Sequence, residues 1–218
     1  MIVVRQKPAS EIVHMIARHR RVLVLGCNTC SAVSLAGGET EVETLVELLR
    51  LATSRKGSTV EFTSGVLQRQ CEPEFIEEIE ASGHDAILSV GCGAGVALLA
   101  ELQDVPVYPA IDTLFIGAAK GLAHWRAECS ACGLCVLGET AGICPITRCA
   151  KGILNGPCGG MSDGTCELGD RPCAWVEIYD RLEAHDRVQQ FGKILGPKDN
   201  SVSAKTPEWD MTAEGGPR

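Results

Sequence analysis

The sequence has few aromatic residues, no excess of positive charge and no long apolar run. Each of these shortages disfavours a class of function. Aromatic residues make up only 4% of the 218 residues, which disfavours proteins that stack nucleic-acid bases on aromatic side chains. The net charge of −8 disfavours nucleic-acid partners, because they require clustered lysine and arginine. The apolar runs are far shorter than the ~20 residues of a transmembrane helix. We therefore expect no nucleic-acid partner and no membrane span.

Export signals and the common catalytic motifs are also missing. Residues 1–10 contain no apolar run followed by a cleavage site, so we expect a cytoplasmic protein. The chain has no phosphate-binding loop, no nucleophile elbow and no pair of histidines four residues apart, which are the patterns of several large enzyme classes. We expect no catalytic site for an organic substrate in this chain.

Cysteine, in contrast, is abundant. The chain has twelve cysteines, and eight of them fall between Cys129 and Cys173. In the cytoplasm thiols stay reduced, so dense cysteine indicates metal binding rather than a disulfide framework. Four thiolates bind one [4Fe–4S] cluster or one structural zinc ion. Twelve cysteines therefore suffice for three such sites.

The first half of the chain alternates between apolar runs and segments of helical periodicity. This alternation predicts an α/β domain over residues 1–125, built on a small doubly wound parallel sheet of about four strands. The last strand is expected at a sheet edge because it contains prolines. The predicted strands are residues 21–26, 58–63, 85–91 and 105–110, and the predicted helices are residues 10–20, 39–54, 73–82 and 94–101.

The character of the sequence changes after about residue 125. Residues 126–172 are rich in Gly, Cys and Pro and show no sustained period. Such a segment buries little apolar area and needs an internal staple. A helical pattern returns at residues 173–191. We therefore predict an irregular, Cys-rich, ferredoxin-like domain over residues 126–195 that binds metal and ends in a helix, followed by a polar tail over residues 196–218.

Four cysteines follow the predicted strands of the first half. They are Cys27, Cys30, Cys71 and Cys92. The carboxyl ends of parallel strands meet at one edge of a sheet, so these thiols are expected to form one site. Gly91 and Gly93 flank Cys92, and we expect them to let the backbone approach a cluster and donate amide hydrogen bonds to its sulfides. The alternative is that Cys71 and Cys92 are buried apolar fillers.

The remaining eight cysteines begin with a ferredoxin-like triplet. Cys129, Cys132 and Cys135 have the spacing that wraps three thiolates around one cluster. Five cysteines remain to be divided between two sites, namely Cys144, Cys149, Cys158, Cys166 and Cys173. The sequence does not fix this division, although we prefer Cys173 as the fourth ligand of the triplet. The spacings do not form paired zinc knuckles, which favours iron–sulfur for at least one of the two sites. One zinc site among the three is the alternative.

The motifs between Cys129 and Cys173 resemble those of a known family. They include Cys144-Pro145-Ile146-Thr147, Cys149-Ala150-Lys151, Leu154-Asn155-Gly156-Pro157-Cys158-Gly159-Gly160 and Cys173-Ala174-Trp175, and nearer the N-terminus Gly26-Cys27-Asn28-Thr29-Cys30 and Ala36-Gly37-Gly38-Glu39. This set is similar to the domain found C-terminal to some methylenetetrahydrofolate reductases. The domain also occurs as the separate small iron–sulfur subunit, of the MetV type, of two-subunit bacterial reductases. The resemblance covers about residues 15–190.

The resemblance implies an electron-transfer subunit. Such a subunit holds up to three [4Fe–4S] clusters and passes electrons to a flavin-containing methylenetetrahydrofolate reductase large subunit, which carries the folate site. The implied electron donor is a ferredoxin or an NADH- or heterodisulfide-reductase-like module. Two alternatives stay open at this point. One is a zinc-stapled adaptor of the same reductase without a redox role, and the other is an enzyme that binds a corrinoid or a nucleotide at the sheet edge.

Overall fold

The structure, a computed structural model, describes residues 1–200 with the exception of residues 56, 58, 78 and 80. The chain divides into two compact units, Met1–Trp125 and Arg126–Arg218. A short strand, His124–Cys129, begins in the first unit and ends in the second.

The first unit contains a parallel sheet and a pair of antiparallel strands. Its strands are β1 (Ile2–Gln6), β2 (Arg21–Cys27), β3 (Glu61–Leu67), β4 (Ala86–Val90), β5 (Val107–Pro109) and β6 (Ile111–Gly121). Its helices are α1 (Ala9–Met15), α2 (Cys30–Val33), α3 (Glu39–Arg55), α4 (Pro73–Ile76) and α5 (Gly93–Leu102). The parallel sheet has the order β3-β2-β4-β5. The prediction of an α/β fold with a four-stranded parallel sheet is confirmed, and β5 lies at the edge as its prolines indicated.

Helices cover both faces of the parallel sheet because side chains alternate along its buried strands. On one face Val24 and Leu88 pack with apolar residues of α1 and α3, such as Ile12 and Leu49. On the other face Leu25 and Ile87 pack against Ile76 of α4 and Leu99 of α5. Each of these fully buried side chains contributes roughly 1.5–3 kcal/mol to folding. The result is the three-layer, doubly wound arrangement that the alternating pattern predicts.

The antiparallel pair was not predicted from the sequence. β1 runs antiparallel to β6, with Ile2 opposite Ile116 and Gln6 opposite Ile111, and the register shifts between Val3 and Val4. The two strands lie more than 100 residues apart in the chain, so no local pattern links them. A second difference concerns the predicted helix 73–82, whose helical part is only Pro73–Ile76; residues 78 and 80 lie outside the described residues.

The second unit contains short elements around a small core. After β7 (His124–Cys129) come α6 (Pro145–Arg148), β8 (Met161–Ser162), β9 (Thr165–Cys166), α7 (Ala174–Ala184) and a 3-10 turn at Val188–Gln190. The buried core consists of Ile143, Trp175, Ile178 and Leu182. β8 and β9 pair antiparallel. The C-terminal helix predicted at residues 173–191 is therefore present in a shorter form. Throughout the part of the chain that is described, no helix is long and apolar enough to cross a membrane.

Candidate metal centres

The first candidate centre lies at the carboxyl edge of the parallel sheet. Cys27 ends β2 and Cys30 begins α2, whereas Cys92 directly precedes α5 after β4. Cys71 follows β3, which pairs with β2 in parallel through Cys27 and Leu67. The chain leaves β2 toward the face covered by α3 and leaves β4 toward the face covered by α5. Because β2 and β4 are neighbours, this is a topological switch point, where doubly wound folds bind ligands.

Two of the other thiols affect the Cys71 thiol. Partial desolvation raises the pKa of Cys71 although the residue is exposed, and the negative charges of the Cys92 and Cys27 thiolates raise this pKa further. Like charges act in this way only when they are close neighbours. Cys27 is buried, and its Sγ lies 3.4 Å from Thr29 Oγ1. Cys30, half-buried, follows three residues after Cys27. Cys27, Cys71 and Cys92 thus lie at or after the ends of three neighbouring parallel strands, and their assignment to one metal site stays a prediction.

A buried glutamine next to Cys71 forms hydrogen bonds to two neighbouring strands at this edge. Gln70 is only 1% exposed. Its Nε2 donates to the carbonyl oxygens of Leu25 at 2.7 Å and Gly26 at 2.9 Å. Its Oε1 accepts a hydrogen bond of 2.6 Å from Ser89 Oγ. The side-chain amide of Gln70, which directly precedes Cys71, therefore connects the ends of β2 and β4. Sequence analysis missed Gln70, because no local pattern distinguishes it from a surface glutamine.

The two glycines beside Cys92 take part in close packing and in hydrogen bonds to hydroxyl groups. A Cβ on Gly91 would lie 2.0 Å from Oε1 of Gln70, so Gly91 is required by the glutamine. The Gly91 amide donates to Ser89 Oγ at 3.2 Å, and the Gly93 amide donates to Thr113 Oγ1 at 2.8 Å. Both amides are thus engaged by protein hydroxyl groups. A role of these two glycines beside a cluster stays a prediction.

One buried hydroxyl near this edge stands apart from the hydrogen-bond network. Ser31 follows Cys30, is fully buried, and its Oγ has no hydrogen-bond partner within the described residues. An unsatisfied buried hydroxyl costs about 1–3 kcal/mol. Its donor proton suits an acceptor such as a thiolate or a sulfide.

The second candidate centre is a cavity in the second unit, which we call the four-cysteine cavity. The cysteines that line it are Cys149, Cys158, Cys166 and Cys173. Trp175 and Pro172 contribute apolar walls. Cys149 and Cys173 also pack against the core around Ile178. Cysteines that span 25 positions of the chain therefore share one cavity.

Backbone pairing brings two of these cysteines together. Cys166 lies in β9 opposite Met161 of β8. The Cys166 amide donates to the carbonyl oxygen of Arg171 at 2.9 Å, and the Cys173 amide donates to that of Gly164 at 2.8 Å. The hairpin thus folds the chain back so that Cys173 returns to the neighbourhood of Cys166. This pairing is not visible in the cysteine spacing.

A lysine approaches the same cavity. Lys151 Nζ lies 3.7 Å from Cys158 Sγ and also forms an ion pair with Glu167. The hydrogen bond to Glu167 raises the pKa of Lys151, and the nearby Cys158 raises it further against the opposing effect of desolvation. The lysine is therefore positively charged beside a thiol, which favours the thiolate form that metals bind.

The triplet begins at Cys129, the last residue of β7, and continues with Cys132 and Cys135 in the segment that follows. The Ala131 amide lies 3.3 Å from Cys129 Sγ. Lys198 Nζ lies 2.9 Å from Cys132 Sγ, and this hydrogen bond lowers the pKa of the Cys132 thiol despite its partial burial. Cys129 and Cys135 are exposed. The segment from Cys129 to Cys135 thus contains three thiols, and one of them, Cys132, is stabilised as a thiolate.

The four-cysteine cavity includes a cysteine that the sequence preference gave to the triplet. Cys173 lines this cavity with Cys149, Cys158 and Cys166, while the ligand set to which it belongs stays a prediction. Cys144, which precedes α6, is the cysteine left over, and Thr147 Oγ1 donates to its Sγ at 3.5 Å. The hairpin accounts for this difference, because it carries Cys173 back to Cys166.

All twelve cysteines are free thiols, yet their arrangement is not a finished coordination shell. Among the residues that the structure describes, no group of three or more His, Cys, Asp or Glu side chains is positioned to hold a metal ion. The donor set nevertheless fits a thiophilic metal or an iron–sulfur cluster, since thiolate is the preferred ligand of both. Four thiols line one cavity, and the thiolates of Cys92 and Cys27 help to raise the pKa of Cys71.

The fold and the thiols together define the class of protein. It is a doubly wound α/β unit with cysteines at the carboxyl edge of its sheet, followed by a unit that holds eight further cysteines. Residues 108–201 match the model of the family described as "Methylene-tetrahydrofolate reductase C terminal". This match confirms, for that segment, the resemblance drawn from the sequence motifs, and the segment includes all eight later cysteines. The motifs at residues 26–39 lie outside the matched segment.

Two further comparisons gave no match. The chain matches no curated protein and no solved structure.

Proposed function

We propose that this chain is an iron–sulfur electron-transfer subunit of a flavin-dependent methylenetetrahydrofolate reductase. It accepts electrons from a ferredoxin or from an NADH- or heterodisulfide-reductase-like module and delivers them to the flavin of the large subunit. Chemistry on the folate takes place in that partner chain. The family match over residues 108–201 supports the link to this reductase.

The observation that carries the redox role is the grouping of the cysteines. Four of them share one cavity, and Cys27, Cys71 and Cys92 interact at a ligand-binding edge. We assign the cysteines to three sets of four. The sheet-edge set is Cys27, Cys30, Cys71 and Cys92; the cavity set is Cys149, Cys158, Cys166 and Cys173; the triplet set is Cys129, Cys132, Cys135 and Cys144. Each set suits one [4Fe–4S] cluster, and the number of clusters is up to three.

Anaerobic purification tests this assignment. We expect iron and acid-labile sulfide in equal amounts, at about four of each per cluster, and a visible absorption band that bleaches on reduction. Cys158→Ser and Cys166→Ser change residues of one set, so both variants should lose the same electron paramagnetic resonance signal. Cys132→Ser should lose a different signal.

Ser162→Ala is the matched control, because Ser162 lies in the same hairpin as Cys166 but contributes no sulfur. It should keep the full iron content. A protein that contains only zinc, and whose spectrum does not change on reduction, would refute the electron-transfer role.

The second candidate function is a zinc-stapled adaptor of the same reductase, and one observation favours zinc at one site. The four-cysteine cavity measures only about 10 Å³, which is near the lower limit for a single water molecule. A lone zinc ion with four thiolates needs less room than a cube of four irons and four sulfides. Zinc at this cavity predicts one zinc per chain that is lost in Cys166→Ser but retained in Cys71→Ser. Iron in the same place predicts the loss of about four irons instead.

A third candidate, an enzyme that binds a corrinoid or a nucleotide at the sheet edge, makes the opposite prediction for the first set. It requires that Ala at Cys27, Cys30, Cys71 or Cys92 leaves the metal content unchanged. Metal analysis of Cys71→Ala and Cys92→Ala therefore separates this candidate from the first two at the sheet edge.

A further inference from the structure

A second cavity of the second unit is lined by arginine. It has a volume of about 420 Å³, and Arg126, Arg148 and Arg171 line it together with Thr147 and Asp170. We call it the arginine pocket. Arg148 and Arg171 also line the four-cysteine cavity, so the two cavities share a wall.

Guanidinium groups dominate the lining of the arginine pocket. Three arginines and one aspartate line it, and Glu177 and Glu128 pair with two of the arginines, so the formal charges of this group sum to zero. The pocket therefore offers an anion the spare N–H donors of its guanidinium groups rather than an excess of positive charge.

Two of the arginines are held in place by carboxylates outside the pocket lining. Arg148 donates to both carboxylate oxygens of Glu177, at 3.0 and 2.7 Å, and both bonds come from Nη2. Arg126 donates to Glu128 from Nε at 2.8 Å. A guanidinium has five N–H donors, so these bonds orient the two groups and leave donors for a ligand.

The third arginine has its guanidinium available. Arg171 is exposed, and no ion pair involving its side chain occurs within the described ranges. Its backbone is fixed, since its carbonyl accepts from the Cys166 amide at 2.9 Å and its amide donates to Gly169 at 2.8 Å. The side chain therefore starts from a defined point on the pocket rim.

From this arrangement we infer that the arginine pocket binds a small polyanion that carries two or more phosphate or carboxylate groups. Planar guanidinium groups bind both kinds of group through paired hydrogen bonds. The volume exceeds that of one phosphate and falls in the range of small-molecule sites, roughly 300–1,000 Å³. The inference does not depend on whether the neighbouring cysteines hold iron or zinc.

Isothermal titration of the full-length, metal-loaded protein tests the inference, with inorganic pyrophosphate and citrate as separate probes. We expect one saturable site for at least one probe. Arg171→Gln should weaken binding at least about tenfold, because it removes a charge-assisted hydrogen bond. Asp170→Asn should tighten binding several-fold, since it removes the negative charge from the lining. Lys193→Gln is the control, because Lys193 pairs with Glu139 and does not line the pocket.

The results of this titration can be told apart from those of the metal analysis, because they report anion binding rather than metal content. Binding of pyrophosphate alone assigns the pocket to phosphate groups, and binding of citrate alone assigns it to carboxylates. The inference is overturned if neither probe saturates, or if Arg171→Gln binds as tightly as Lys193→Gln while both variants keep the parent metal content and circular dichroism spectrum. A change of metal identity at the cysteines leaves these expectations unchanged.

Discussion

At the scale of single residues, Cys71 and Cys132 have opposite electrostatic surroundings. Burial raises the pKa of Cys71, and the thiolates of Cys92 and Cys27 add to that effect. The ammonium group of Lys198 lowers the pKa of Cys132. Both effects follow from the stability of the charged form, which like charges and desolvation oppose and an opposite charge favours. The two thiols therefore report on two different candidate sites.

Alkylation of the metal-free protein by iodoacetamide should distinguish these thiols. The thiolate is the reactive form, so the rate rises as pH passes the thiol pKa. We expect the midpoint for Cys132 below the ordinary value of about 8.5 and the midpoint for Cys71 above it. Peptide mass spectrometry over roughly pH 6 to 10 measures both profiles.

Two variants check the cause of each shift. Lys198→Met should move the Cys132 midpoint upward, because the stabilising cation is gone. Cys92→Ser should move the Cys71 midpoint part of the way down, because burial, the largest cause, remains. A Cys71 midpoint that does not respond to Cys92→Ser would mean that these two thiols are not neighbours, and the sheet-edge set would lose its support.

At the scale of elements, the link between Gln70 and the glycine turn before α5 sets the geometry of the sheet edge. A Cβ at Gly91 would meet the Gln70 amide at 2.0 Å, and one at Gly95 would meet Gln70 Cβ at 2.7 Å. The amide cannot easily move aside, because hydrogen bonds to Leu25 and Ser89 hold it. The turn and the glutamine are therefore fitted to each other.

Gly91→Ala should therefore destabilise the first unit. Forcing an extra carbon into this packed position costs about 1–3 kcal/mol. Gly65→Ala is the matched control, since its Cβ would lie at an ordinary 3.6 Å from Leu25, and alanine is the better strand residue by roughly 0.5–1 kcal/mol. Denaturant unfolding of both variants measures the difference. Equal stability of the two variants would contradict the proposed clash.

The double variant Gly91→Ala with Gln70→Ala sharpens the test. Gln70→Ala alone leaves the Leu25 and Gly26 carbonyl groups without their buried donor and should cost about 1–3 kcal/mol. In the double variant the clash is absent, so its loss of stability should be smaller than the sum of the two single losses. An additive result would show that Gly91 and Gln70 do not interact.

The elements that the sequence predicts are those with a strong local pattern. β2 and β4 are continuous apolar runs, and α3 carries Val42, Leu45 and Leu49 at helical spacing, so local periodicity is enough to find them. β1 and β6 have no comparable signal, and they form because Ile2 pairs with Ile116 across the length of the unit. Periodicity within a short window cannot predict pairing between residues that lie so far apart in the sequence.

For the candidate sites, too, the sequence predicts only what local patterns and the order of the elements determine. The positions of Cys27, Cys71 and Cys92 at the carboxyl edge of the sheet were predictable, because the order of strands and helices is enough to place them there, while their grouping into one site stays a prediction. The placement of Cys173 with Cys166 was not, because it depends on the β8–β9 hairpin and on the bridge between Thr165 and Pro172. Gln70 and the arginine pocket were also missed, since each depends on contacts between residues that are distant in the sequence.

At the scale of the whole molecule, the two units differ in the means by which they are stabilised. The first unit buries two apolar clusters on the two faces of its sheet. The buried core of the second unit is Ile143, Trp175, Ile178 and Leu182. A core of that size stabilises a small unit only with help from a staple. We propose that the cysteines supply this staple, because the binding of a metal would contribute its free energy to folding.

Removal of metal should therefore loosen the second unit and spare the first. We expect amide hydrogen exchange in α7 to quicken by about tenfold or more, equivalent to at least ~1.4 kcal/mol of lost local stability. Exchange in β2 and β4 should stay slow, because their protection depends on apolar packing. Exchange followed by mass spectrometry, before and after anaerobic chelation, measures both regions in one sample.

The sheet amides are the internal control, and metal analysis verifies that chelation is complete. If α7 keeps its full protection in fully demetallated protein, the core around Trp175 is sufficient by itself. The cysteines of the second unit then contribute little to its folding.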